Sequence, residues 1–370
     1  MAPREFASPQ EVSEEVARRG LPANFCHVPF AALILEPDGR VGSCRIKGTE
    51  FPVGNLNEST LEEIWNGPRI RQWRREFLNG DVKMCRKEVR HTRCHTCAEY
   101  NELLPEVEAT EYQTRPPLRL ALNFNGHCNL ECQMCHIWKE PNGLYDARGW
   151  WDQAEKWVGG IQELELLSGE PFIQKDTYRL IDLVAERNPS CRWSITTNGH
   201  WRLTDGIRRA LDKIRFKHLI VSLDSLNPTT YSKIRKLGRL EVPLANLDRL
   251  LEYDQSRIER GLGPLNIYLS FLIQRDNWRE LGDFHEFAKR KGTRIFRIFL
   301  YEPRKHSLLS LRLAERERIV EHYIHELSYD QLIHSRRAFL PLLDSLPALA
   351  RARLLLDFQR RISEEGEVGA

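Results

Sequence analysis

From Leu118 onward, short apolar runs alternate with longer amphipathic ones, and this alternation restricts the folds open to the chain more than any other feature. Six runs read as strands: 118–124, 163–169, 192–199, 218–225, 266–273 and 294–301. Helical spacing fills 175–188, 205–214, 244–261 and 278–292 between them. Apolar strands separated by helices belong in a parallel sheet whose connections cross over in the right-handed sense. The expected fold is α/β: a partial (β/α)6 TIM-like barrel, because six units fall short of the closed eight-unit form. Beyond Pro303 the pattern is amphipathic helix with no further strand.

The 370 residues suffice for this core and an accessory domain. Ala31 to Ile46 reads as a hairpin turning at Pro37-Asp38-Gly39. Ser59-Thr60-Leu61-Glu62 has the spacing of a capping box and should open a short helix through Trp65, which Gly67-Pro68 breaks before an Arg-rich helix ending near Gly80. The expected organisation is an arm over 1–25, a small α+β domain over 26–104, a linker over 105–117, the barrel over 118–303 and a helical extension over 304–370. No run of eighteen apolar residues suggests a membrane span. The charged N-terminus lacks an apolar signal core, which points to a cytoplasmic protein. A net charge of +3 gives no strong pull toward nucleic acid or anionic membrane, and neither is expected as a partner.

Nine cysteines are the main chemical signal. In a reducing compartment, spaced cysteines more often hold metal or do redox chemistry than form disulfides. Cys128, Cys132 and Cys135 directly follow the first barrel strand, at the end where parallel α/β architectures place their chemistry. Three thiolates on one loop suit three irons of a cubane cluster and leave the fourth iron open to a small molecule. Half of a zinc site, or simply buried thiols, are the alternatives.

The C-x3-C-x2-C spacing resembles that of the radical S-adenosylmethionine (SAM) superfamily, and similar supporting motifs follow in order at the strand ends. The resemblance implies a SAM-binding [4Fe–4S] cluster on Cys128, Cys132 and Cys135. It assigns Ser168, Gly169 and Glu170 to the SAM amino group, and Ser222 with Asp224 to its ribose. Arg235, expected on the short helix after the fourth strand, is assigned to the SAM carboxylate. Asn198 would help orient SAM, and Asn277 would keep a polar contact after the fifth strand. Met134 stands where the family usually has an aromatic residue against adenine, a contact a thioether can also make. His136 or Trp138 could share that role.

Cys26, Cys44, Cys94 and Cys97 could close a second [4Fe–4S] cluster. The run from Cys26 through the hairpin and GNLNESTLEEIW to Cys94-His95-Thr96-Cys97 resembles the auxiliary domains called SPASM and Twitch. A structural zinc site on Cys85, Cys94 and Cys97 with His91 or His95 is the rival. In the family this domain usually follows the barrel, whereas here it precedes it. Cys191 should be core. His27, His127 and His136 lie beside cluster cysteines, where they could tune potentials or simply meet solvent. The Arg69–Arg75 run, the 351–361 helix and Trp150-Trp151 have anion or substrate roles open to them, with solvated faces and packing as the blander readings.

The resemblance implies reductive cleavage of SAM to a 5′-deoxyadenosyl radical that abstracts hydrogen from a substrate C–H bond. The expected outcome is oxidation or rearrangement of a small molecule in a biosynthetic pathway, with a flavodoxin- or ferredoxin-type electron donor. A ribosomal-peptide maturase and a non-catalytic iron–sulfur protein for electron transfer or redox sensing are the alternatives.

Overall fold

A computed structural model describes residues 8–44, 51–84, 101–140 and 149–368. Its centre is one nine-stranded sheet in the order β11-β10-β8-β7-β6-β4-β1-β2-β3. The six expected barrel strands are all present: β4 (Arg119–Leu122), β6 (Glu163–Leu166), β7 (Arg192–Thr197), β8 (Arg215–Ser222), β10 (Ile267–Ile273) and β11 (Arg294–Phe299). Adjacent members pair in parallel throughout.

The N-terminal hairpin does more than the sequence suggests. β1 (Ala32–Leu35) turns through Gly39, at φ 89°, into β2 (Arg40–Gly42), which pairs with β3 (Gly54–Asn55). β1 also lies parallel to β4, with Leu33 opposite Leu120, so it adds a seventh parallel strand at the barrel's first edge. All four β1 residues are buried, as a strand covered on both faces requires.

Helices cover the sheet's outer side because their apolar positions recur at helical spacing. α1 (Pro9–Arg18), α2 (Val28–Ala31), α3 (Leu61–Trp65) and α4 (Pro68–Asn79) belong to the N-terminal part. α5 (Trp150–Trp157) precedes β6, and α6 (Lys175–Arg187) follows it, burying Thr177, Leu180, Ile181 and Val184 on one face. α7 (Asp205–Asp212), α8 (Pro228–Ile234), α9 (Glu241–Glu259) and α10 (Leu281–Arg290) complete the crossovers. α11 (Leu313–Glu326), α12 (Tyr329–Asp344) and α13 (Ala348–Val368) form the expected strand-free extension. Tyr323 of α11 donates to the Trp278 carbonyl, and Gln331 of α12 to Gly282, which docks the extension beside α10. Along β7, Trp193, Ile195 and Thr197 are buried beneath the helices, while Ser194 and Thr196 line the barrel interior. No helix among the described residues is long and apolar enough to cross a membrane.

Several local expectations shift. The capping box is one residue later than the spacing suggested: Thr60 caps α3, with the Glu63 carboxylate returning to the Thr60 backbone. Trp150 and Trp151 pack against Phe124 instead of lining a mouth. Cys191 is core, as expected. The Arg69–Arg75 run is structural: Arg75 pairs with Glu111, and Arg74 is fully buried, donating to the carbonyls of Pro29, Trp65 and Glu111 and to Asn66 Oδ1. On α13, Arg353 pairs with Glu317 and Glu321.

Burial lowers the Arg74 pKa to about 9, yet its fork still satisfies four acceptors that a lysine could not reach together. Arg74→Lys should therefore cost about 3 kcal/mol in denaturant unfolding, the loss that follows from leaving buried carbonyls unpaired. A loss below about 1 kcal/mol, the size of a surface contact, would show that the fork is dispensable.

Candidate active site

β4 ends at Leu122, and the chain enters a loop that carries Cys128, Cys132 and Cys135 before a single 3-10 turn over Ile137–Lys139. The loop closes on itself tightly at Gly126, where a Cβ would lie 2.1 Å from the Ile137 carbonyl oxygen. β5 (Glu131–Cys132) pairs antiparallel with β9 (Arg235–Lys236), setting Cys132 opposite Arg235. Arg235 thus lies just past α8, not on it.

The three thiols are gathered at one place. Burial raises the pKa of each, that of Cys132 to about 11, and the negative charge of a neighbouring thiolate adds to the rise at Cys128 and Cys132. Thiols in that state need a cation to become thiolates, which iron supplies. Among the described residues, no three Cys, His, Asp or Glu side chains converge on a point that one metal ion could occupy.

A cavity of about 1280 Å³ runs from this loop into the barrel. Its upper wall includes the three cysteines, Met134, His136, Trp138, Ser168, Gly169, Asn198, Ser222, Asp224 and Arg235. Gly169 stands at φ 60°, and a Cβ there would meet the His127 carbonyl oxygen at 2.3 Å, so glycine is required where the second strand's loop passes under the cysteine loop. Arg235 is buried, donates to Asp224 Oδ2 at 2.6 Å and reaches Cys132 Sγ at 3.7 Å, while its Nε has no partner. Arg235 also lines the cavity, and a guanidinium there fits an anionic ligand group such as a carboxylate.

Other residues expected to touch SAM are engaged within the protein. Glu170 is fully buried and absent from the cavity wall; it accepts from Thr197 Oγ1 and the Asn198 and Phe172 amides. Burial, only partly offset by those bonds, raises its pKa to about 7. It ties the second strand's loop to the third. Asp224 holds Arg235 and the Leu272 amide, and Asn277 donates to the Asp224 and Leu272 carbonyls. Asn198 lines the cavity but braces the cysteine loop, donating to Asn129 Oδ1 at 2.8 Å and toward Cys128 Sγ at 3.6 Å. Ser168 donates to the Asn125 carbonyl. His136 is exposed, and the Trp138 indole donates to the Cys135 carbonyl.

The cavity floor was not anticipated. Arg119, Arg192 and Lys217, from three strand beginnings, converge on Glu163 and on Glu102, which reaches in from the N-terminal part. Beside them His218 packs edge-on against Tyr268, whose hydroxyl accepts from Arg294 at 3.0 Å. Burial, then the charges of Lys217, Arg192 and Arg294, lower the His218 pKa to about 4, so the ring is neutral at physiological pH.

Of the second cysteine set, Cys26 and Cys44 are described; Cys94 and Cys97, like Cys85, His91 and His95, lie outside the described residues. Ser43, next to Cys44, donates to the carbonyls of Ala32 and Val28, the latter two residues past Cys26. His27 is buried and bonds Asn101 at 2.9 Å; burial and then the charge of Arg119 lower its pKa to about 3. The Cys26 end of the N-terminal part therefore adjoins the cavity floor.

Two family descriptions match the chain. The SPASM iron–sulfur cluster-binding domain matches residues 26–98, and the Radical SAM superfamily matches residues 122–288. Among curated proteins, the chain is similar to the probable GTP 3′,8-cyclase of Methanothermobacter thermautotrophicus, 32% identical over 187 residues, which is 48% of this chain and 56% of that protein. The probable GTP 3′,8-cyclase of Methanocaldococcus jannaschii is 28% identical over 51% of this chain and 60% of its own length. The chain thus spans little more than half the length of these relatives. Among solved structures, Streptococcus suis SuiB bound to S-adenosylmethionine aligns with a TM-score of 0.41 at 16% identity, over 71% of this chain and 59% of that one.

Proposed function

The chain belongs to the radical SAM superfamily and carries a SPASM iron–sulfur domain ahead of its barrel, and from that premise we propose an enzyme that removes hydrogen from a C–H bond of a small polar substrate, with net oxidation or rearrangement. Family membership brings a [4Fe–4S] cluster, SAM and an auxiliary iron–sulfur cluster. The first cluster, when bound, supplies one electron that splits SAM into methionine and a 5′-deoxyadenosyl radical; the protein binds, orients and excludes water.

In this reading Cys128, Cys132 and Cys135 hold that cluster. Arg235 would meet the SAM carboxylate, and Met134 would meet adenine. Ser168 and Gly169 present polar and backbone groups to the amino acid end, and Ser222 faces the ribose. Glu170, Asp224 and Asn198 are positioning residues that keep the strand-end loops and Arg235 in place. Cys26 and Cys44, with Cys94 and Cys97, would hold the auxiliary cluster. An auxiliary cluster would supply a one-electron acceptor for the substrate radical left after hydrogen abstraction.

The observation that carries the reading is the single cavity joining the cysteine triad to a floor of Arg, Glu, His and Tyr side chains. Such a chamber shields a radical from solvent and suits a small polar molecule. A peptide substrate has one observation in its favour: β11 is the sheet's edge, and Phe296 and Ile298 on it are about 40% exposed, offering a strand-like partner both backbone and apolar contacts.

The test is anaerobic reconstitution, reduction with dithionite and addition of SAM. The expected product is 5′-deoxyadenosine. A fully loaded, reduced chain that yields none would leave a non-catalytic iron–sulfur protein as the better account.

A further inference from the structure

Beside the cysteine loop, on the protein's outer surface, three short segments come together. The first is the turn after β9, where Lys236, Leu237 and Arg239 are exposed. The second is the loop after β10, with Arg275 and Asp276; the third is the turn carrying Arg304, Lys305 and His306. Each is fastened to the cysteine loop or to its neighbour. Arg235 pairs with Cys132 across the β5–β9 ribbon. Gln133, between two of the cysteines, donates to Gln274 Oε1 at 2.9 Å and Asp276 Oδ2 at 2.8 Å. The Arg275 amide donates to the His306 carbonyl.

This patch is basic beyond what a chain of net charge +3 requires. Lys236, Arg275, Arg304 and Lys305 form no ion pair among the described residues; of the nearby acids, Asp276 pairs with Lys233 and Glu241 with Arg239, Glu302 accepts from the Arg304 amide, and Glu131 faces Lys236 across the β5–β9 ribbon. Burial, then the charges of Lys305, Lys236 and Arg275, lower the His306 pKa, with Asp276 the one acid acting against them. At the patch's edge Leu237 is 72% exposed and stands at φ 69°, a conformation costly for a residue with a branched side chain. The turn cannot relax. A Cβ at Gly238 would meet the Arg235 carbonyl oxygen at 2.8 Å, and the Arg239 amide is held by His200 Nε2 at 3.1 Å. The strained backbone thus holds an apolar side chain fixed in solvent, rimmed by cations, two residues from the guanidinium that touches Cys132.

We propose that this patch is the docking surface for a small acidic one-electron carrier of the flavodoxin or ferredoxin class, with Leu237 as its apolar contact. The proposal rests on the radical SAM reading above. The carrier loses one electron and the cluster on the cysteine loop gains it; no atom is transferred. Complementary charge steers such encounters and makes them sensitive to salt, while a central apolar contact lengthens their life.

The test uses the cluster-loaded full chain and two readouts. Binding is measured by titrating oxidised flavodoxin, whose flavin reports on association without turnover. Activity is measured as 5′-deoxyadenosine formed with reduced flavodoxin and, separately, with dithionite. In the triple variant Lys236→Glu, Arg275→Glu, Lys305→Glu, carrier affinity and carrier-driven rate should each fall about tenfold or more, and the wild type should show a similar fall as salt rises through about 0.3 M. The dithionite-driven rate should stay within about twofold, because a small reductant needs no docking surface. Leu237→Gly relieves the positive φ, so it should leave the fold no less stable yet weaken carrier binding. Lys156→Glu on α5 serves as a remote charge control and should change neither readout. The proposal is overturned if the triple variant lowers both rates equally, if carrier binding ignores both charge reversal and salt, or if flavodoxin and ferredoxin fail to drive a wild type that dithionite drives. Failure of dithionite itself would instead remove the proposed function.

Discussion

Gly126→Ala is expected to abolish SAM cleavage although glycine has no side chain to bind or react. A methyl group there would stand 2.1 Å from the Ile137 carbonyl oxygen, 2.8 Å from that of Glu140 and 3.1 Å from the Glu140 nitrogen. All three are backbone atoms, so no rotamer can clear the clash. The chain must open between 126 and 140, and this segment carries every cysteine of the triad. Displacing positioned groups by about 1 Å is enough to cost about a hundredfold in rate, and three thiols that no longer converge should fail to hold iron at all. Iron content should fall toward that of a Cys128→Ala variant, with 5′-deoxyadenosine at background. Far-ultraviolet circular dichroism should hardly change, because the clash lies outside the sheet and its covering helices. Gly159→Ala is the control: nothing lies within 4 Å of a Cβ there, and it should load and cleave normally. A Gly126→Ala protein that binds its full iron and cleaves SAM at the wild-type rate would show that the loop tolerates opening and that its closed form is unimportant.

The barrel was legible in sequence for the reason that makes it stable. Strands buried on both faces must be apolar along their length, and the helices between them must show a one-sided stripe, so Leu164, Trp193, Leu219 and Leu269 declare the sheet as plainly as Leu180 and Val184 declare its cover. The cysteine triad was legible because its spacing is local. What the sequence concealed depends on distant pairing. Nothing in Ala32–Leu35 distinguishes a strand that closes its own hairpin from one that also lies parallel to β4, since burial on both faces is all that either requires.

The floor has a signature in the sequence. Arg119, Glu163, Arg192 and Lys217 each stand at or near the start of an otherwise apolar strand. Charges at such positions are costly unless they meet, and four recurring at the same end of successive strands predict that they do. The fates of Glu170, Asp224 and Asn277 show the opposite limit. A polar residue at a strand end can face a ligand or fasten its own loop, and only the hydrogen bonds distinguish the two. In all three cases the carboxylate or amide meets backbone amides, carbonyls or a buried arginine; Glu170 and Asn277 act from behind the cavity wall, and Asp224 acts from within it.

Asp224 makes the strongest case for that indirect role. Its side chain is fully buried, stands at φ 62°, and is the counterion of a guanidinium that is itself buried. Burial lowers the Arg235 pKa, but Asp224 and then the Cys132 sulfur outweigh it and hold the value above that of an ordinary arginine. Asp224→Asn keeps the shape and tolerates the left-handed backbone, but leaves the cation with the Cys132 sulfur and a neutral amide. The expected loss is about 3–5 kcal/mol in urea unfolding of the loaded chain, the penalty for an uncompensated buried charge. Adding Arg235→Gln removes the stranded charge, so the double variant should be more stable than Asp224→Asn alone, while SAM binding stays weak because the cavity's buried guanidinium is gone. A positive coupling in this cycle, with stability and SAM affinity moving in different directions, separates the pair's structural work from its work on the ligand. If Asp224→Asn costs less than about 1 kcal/mol, as an exposed pair would, the pair is not holding the cavity wall together and Arg235 keeps its place by the β5–β9 pairing alone.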